Sequence, residues 1–68
     1  MTITANGKRR DIADDISVRG FLDSIGWKPE WVVVEHNGEP LERSRFDAVA
    51  LRDGDRLEVV RAVAGGAR

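Results

Sequence analysis

Between Asp53 and Gly66 the chain passes from a turn, through a valine-rich run, directly into two glycines, and this order constrains the fold more than any other stretch. Asp53-Gly54-Asp55 is a turn signal, because Gly tolerates positive φ and Asp bonds its own backbone. Arg56-Leu57-Glu58-Val59-Val60-Arg61-Ala62-Val63 comes next and is mostly apolar. That composition predicts a strand buried on both faces, and therefore a central one. Gly65 and Gly66 have no Cβ and give the chain end wide φ/ψ freedom. A central strand that continues straight into a slender tail predicts a domain over residues 1–64 that acts as a mount. The flexible tail, residues 65–68, is then the working part.

The remaining elements read in order. Met1, Ile3 and Ala5 alternate with Thr2 and Thr4, the period of a half-buried strand. Asn6-Gly7 is a strong hairpin signal, and Lys8 to Ile12 returns antiparallel. Its Lys8-Arg9-Arg10 charge suits an edge strand, where it discourages pairing with other chains. Ser17 is placed to cap a helix whose Val18, Phe21, Leu22 and Ile25 form one apolar stripe. Gly26 and Pro29 end that helix, and Gly20 inside it costs about 1 kcal/mol relative to Ala. Trp31 to His36 is a second β-prone run, with Val32, Val34 and His36 on one face and Trp31, Val33 and Glu35 on the other. Asn37-Gly38 is a second turn, and Pro40 restricts the next segment to an edge strand or an irregular path. Leu41, Phe46, Val49 and Leu51 are scattered anchors in the connection. A hairpin, one crossing helix and further strands predict an α+β, β-grasp (ubiquitin-like) fold. Its mixed sheet has four to five strands, one helix packs on one face, and the last strand lies beside the first and parallel to it.

Composition removes several function classes. Sixty-eight residues make one domain, which buries only about 60% of its unfolded surface. A net charge of −1 gives no field to attract nucleic acid. No apolar run is long enough to span a bilayer and no signal peptide is apparent, so a cytoplasmic location is expected. Cysteine is absent, which removes disulfides, thiolate catalysis and cysteine zinc sites. The single histidine, His36, reads as a strand-end residue and not a ligand. Asp53 and Asp55 are better explained by turn chemistry than by a cation, which needs six or more oxygens. No metal and no constellation of catalytic side chains is expected.

Asn37-Gly38-Glu39, Arg43, Leu51, the Asp53-Gly54-Asp55-Arg56 turn, Leu57 to Val63 and Gly65-Gly66 together resemble the ThiS family of sulfur carriers in thiamine biosynthesis. The likeness extends back through Ser17-Val18 and Phe21-Leu22 to Asn6-Gly7 and so covers nearly the whole chain. It does not separate ThiS from related carriers such as MoaD, the small subunit of molybdopterin synthase. The resemblance implies that the Gly66 carboxylate is adenylated with ATP by an E1-like enzyme of the ThiF/MoeB kind. Sulfur then displaces AMP to leave a thiocarboxylate, which passes sulfur to thiazole synthase (ThiG-like). ATP belongs to that partner, and the chain itself binds no cofactor and is not an enzyme. Gly65 and Gly66 would thread into the partner's active site, where side chains have no room.

One departure stands out. The family usually ends at the second glycine, whereas this sequence continues with Ala67-Arg68, so the Gly66 carbonyl is an amide. Trimming by a protease, an extension foreign to the native protein, and loss of carrier function are the three readings.

If the two later strands are neighbours, Trp31, Val33, Val60 and Ala62 form an apolar patch on the face away from the helix. Such patches mark partner surfaces, here for the activating enzyme, although single surface apolar residues are ordinary. Two alternatives accompany the thiamine assignment. One is a carrier serving another pathway. The other is a ubiquitin-like interaction module that is never activated.

Overall fold

Both Asn-Gly pairs turn the chain where the sequence predicts. In the computed structural model, which describes residues 1–62, Asn6 and Gly7 have φ of 53° and 81°, and Asn37 and Gly38 have 52° and 85°. Two successive positive φ angles make a type I′ turn, whose twist matches that of the strands it joins. The first turn joins β1 (Thr2–Ala5) to β2 (Lys8–Asp11). The second joins β3 (Val32–His36) to β4 (Glu39–Leu41), an edge strand that accommodates Pro40.

Between the hairpins lies α1 (Val18–Ser24). Ser17 caps it, its Oγ accepting the Gly20 N–H at 2.9 Å. Val18, Phe21 and Leu22 are buried, and Gly26 closes the helix with φ of 78°. Gly20 has a packing reason that helix propensity does not reveal. A Cβ there would lie 2.9 Å from Ile16 Cγ1, so the glycine admits the isoleucine beside the cap.

The last strand, β5 (Arg56–Arg61), completes a sheet of order β2-β1-β5-β3-β4. It runs parallel to β1 and antiparallel to β3. This is the expected β-grasp, with a mixed five-stranded sheet and one helix. Ile3, Ala5, Val34, Leu57 and Val59 from the sheet meet Val18, Phe21 and Leu22 from α1, and Phe46 and Leu51 from the connection complete the core.

Two expectations are corrected. β5 is central, but it is buried on one face only: Leu57 and Val59 are inside, while Glu58 and Val60 are exposed. A single helix covers one face, and nothing among the described residues covers the other. Trp31 is not part of β3. It ends a short 3₁₀ turn, Pro29–Trp31, because Pro29 fixes the entry φ and the Trp31 N–H donates to the Lys28 carbonyl at 3.0 Å.

Each hairpin also contributes an asparagine side chain that holds β5. β1 ends at Ala5, so beyond it the β5 backbone has no strand on that side. The Asn6 carboxamide fills the place: Oδ1 accepts the Val59 N–H at 2.7 Å and Nδ2 donates to the Val59 carbonyl at 3.1 Å. On the other flank, Asn37 Oδ1 accepts the Arg56 N–H at 2.9 Å, and the Asn37 N–H donates to the Arg56 carbonyl at 2.8 Å.

The entrance to β5 is fixed by Asp55. Its carboxylate accepts from His36 Nε2 at 2.9 Å, Asn37 Nδ2 at 3.2 Å and the Arg52 N–H at 2.9 Å. Burial pushes the Asp55 carboxyl up, but the hydrogen bonds from His36, Arg52 and Asn37 together outweigh it, and its pKa lies below the ordinary 3.8. A lowered folded pKa means that the unfolded chain binds more protons in acid. The stabilisation is therefore complete above the ordinary value and is lost as pH falls through the folded one. Asp55→Asn is expected to cost about 1.5–3 kcal/mol at pH 7 and to flatten the acid limb of stability. Urea titrations at neutral pH and at acid pH on either side of the ordinary carboxylate range measure both effects.

Candidate functional site

The functional geometry begins where β5 ends. Arg61 pairs with Val32, and the Ala62 N–H donates to the Trp31 carbonyl at 2.8 Å. That bond anchors the backbone four residues before Gly66. Gly65, Gly66, Ala67 and Arg68, together with the domain boundary expected after residue 64, lie outside the described residues.

Around this anchor the outer face of the sheet is organised in cross-strand rows. Val33 and Val60 are direct partners and are 52% and 60% exposed. Two apolar side chains this open, on two neighbouring inner strands of the sheet, are not required by the core. Ala62 is exposed beyond them. The next row back along β5 pairs Glu35 with Glu58, and Arg56 lies behind Glu58 on the same face.

Trp31 sits at the end of the sheet and not in the Val33–Val60 row. It lines a hollow of about 130 Å³ with Gly26, Trp27, Val32 and Arg61. Lys28 Nζ lies 5.3 Å from its ring centroid, within cation–π range. Arg43 secures this turn, its Nε–H donating to the Pro29 carbonyl at 2.9 Å. Arg43 therefore has a positioning task that the sequence pattern alone did not disclose.

The candidate metal residues are engaged elsewhere. Asp53 Oδ1 accepts the Thr2 N–H at 2.8 Å, and Asp55 holds the turn described above. Among the described residues, no group of three or more His, Asp or Glu is placed to hold a metal ion. Nor, among them, is any helix long and apolar enough to cross a membrane.

Sequence reading missed the Glu35–Glu58 row, because it depends on the β3–β5 register. Those strands are far apart in the chain, and no turn sets their alignment.

Comparison with known proteins places this geometry in context. Residues 3–66 match the ThiS family, so the match ends at the second glycine. Two curated proteins named thiazole synthase, from Paramagnetospirillum magneticum and Magnetococcus marinus, are each 35% identical over 66 residues. The alignments cover 97% of this chain and 20% of each relative, so the chain spans about a fifth of their length. A crystal structure of a thiamine biosynthesis protein (ThiS) from Geobacter metallireducens superposes with a TM-score of 0.82 at 39% identity. It covers 97% of this chain and 100% of that one.

Proposed function

The chain belongs to the ThiS family, and on that premise we propose that it is a sulfur carrier protein of thiamine biosynthesis, a co-substrate and not an enzyme. Its reacting group is the Gly66 carboxylate. A carboxylate is a poor electrophile, so one of its oxygens first attacks the α-phosphorus of ATP, releasing pyrophosphate and forming an acyl adenylate. A sulfur nucleophile then displaces AMP and leaves a thiocarboxylate. An E1-like enzyme of the ThiF/MoeB kind supplies the ATP site and the catalytic groups. This use of ATP accords with a cytoplasmic location.

The observation that carries the reading is the placement of the tail's anchor. The Ala62–Trp31 hydrogen bond fixes the backbone beside the exposed Val33–Val60 pair. Four residues reach at most about 14 Å from there to Gly66. A partner seated on Val33, Val60 and Ala62, with Trp31 at its margin, is therefore within reach of the reacting carbonyl. Gly65 and Gly66 bring no side chain to obstruct a narrow channel.

Thiazole synthase is the proposed sulfur acceptor. A segment similar to this chain occupies about a fifth of two proteins that bear that name, which favours the thiamine assignment over a MoaD-like one. Release of Ala67-Arg68 by a protease precedes activation, since Gly66 is otherwise in an amide bond. Intact-mass spectrometry of the protein from its native cell tests the proposal. The expected species ends at Gly66 with one oxygen replaced by sulfur. A terminus that keeps Ala67-Arg68, without sulfur, in thiamine-starved cells would favour the interaction module.

A further inference from the structure

Glu35 and Glu58 are direct cross-strand partners on the open face of the sheet. Residues in that relation have Cβ atoms about 5 Å apart, and like charges there are destabilising. Among the described residues neither glutamate forms an ion pair, and Arg56, the nearest cation along the same face of β5, forms none either. An isolated surface carboxylate is ordinary. Two facing each other across adjacent strands of the sheet, beside two exposed valines, are a like-charge arrangement that no ion pair among the described residues answers. A cost retained in this way is characteristic of groups kept for binding.

We propose that Glu35 and Glu58 form an acidic recognition site for arginine or lysine side chains of the adenylating enzyme, and that this site sets the angle at which the carrier docks. The inference rests on the carrier reading. An apolar pair holds a partner but leaves it free to rotate on the patch. A charged row on one side of that pair removes the freedom, because only one orientation brings cation to carboxylate. Glu58 precedes Val60 by two residues, so the acidic row lies about 7 Å from the valines, on the side away from the tail. The fitting partner thus presents an apolar patch with its channel on one side and its basic group on the other. The carrier's rows then point Gly66 into the channel.

The test uses protein ending at Gly66, with ATP–pyrophosphate exchange by a ThiF-type enzyme as the readout. The Glu35→Gln/Glu58→Gln double variant is expected to raise the KM for the carrier about tenfold. It is also expected to lose most of the salt dependence of wild-type KM, since screening acts on the charges removed. Its urea midpoint should rise, because the like-charge conflict is relieved. That outcome separates a recognition role from damage to the fold. Active wild type with an unchanged KM in the double variant overturns the inference and leaves the carrier reading standing. A lowered urea midpoint overturns it as well, because the pair would then be stabilising. Wild type inert in exchange overturns both. A wild-type dimer in sedimentation, broken by Val33→Asp, would assign the face to a second copy of the chain and overturn it too.

Discussion

A protein ending at Gly66 will support ATP–pyrophosphate exchange by a ThiF-type enzyme, and proteins ending at Gly65 or at Arg68 will not. The reason is reach. The backbone is anchored at Ala62 by its bond to the Trp31 carbonyl, so the number of residues beyond it sets how far the carboxylate extends. Removing Gly66 withdraws the carboxylate by about 3.5 Å. A misplacement of 1 Å already costs about a hundredfold in a positioned reaction, so a larger loss is expected here. With Ala67-Arg68 present, the Gly66 carbonyl has no free oxygen to attack phosphorus, and the only nearby carboxylate lies two residues further on. Exchange by the protein ending at Arg68, measured with radiolabelled pyrophosphate, would falsify the requirement for trimming.

Phe21→Ala will remove a large share of the protein's stability, whereas Val60→Ala will leave it nearly unchanged. Phe21 is 1% exposed at the centre of the α1 stripe. Truncating a buried phenylalanine costs about 3–5 kcal/mol. A chain of this length has about 3–10 kcal/mol in total, so the loss takes from about a third of the margin to all of it. Val60 is 60% exposed, and surface truncations fall within about 0.5 kcal/mol. Urea denaturation followed by far-ultraviolet circular dichroism measures both. The contrast is informative because both residues are apolar and equally prominent in the sequence. A stability loss of several kcal/mol at Val60 would mean that its face belongs to the fold and not to a partner.

Local chemistry was legible in the sequence and non-local alignment was not. The two Asn-Gly turns, the Ser17 cap and the Val18–Phe21–Leu22 stripe each depend on neighbours in the chain, and each forms as expected. The central place of β5 followed from its apolar character, and its parallel pairing with β1 from the order of hairpin, crossing helix and later strands. That same character misled on burial, because valine serves equally well under a helix and on an open binding face. Trp31 looked like strand because tryptophan favours strands, but Pro29 had already begun a 3₁₀ turn. The Asn6 carboxamide reaches Val59, 53 residues away, and no local pattern reports such a bond. Gly65 and Gly66 lie outside the described residues, and it is the family resemblance that singles them out, since two glycines alone describe any loose chain end.

The pairing of β1 with β5 joins the first described strand to the last. During translation the two hairpins and α1 can form early, but Leu57 and Val59, which complete the core, emerge near the very end. Gly66 is only the fifth residue after Arg61. The protein cannot close its sheet until synthesis is within a few residues of Gly66. A ribosome that stops short of β5 releases a chain with no centre, which remains open to proteases. On the proposed carrier reading, it does not persist as a folded decoy that occupies the adenylating enzyme without a glycine to offer. Completion of the fold thus requires that the message be read to within a few residues of Gly66.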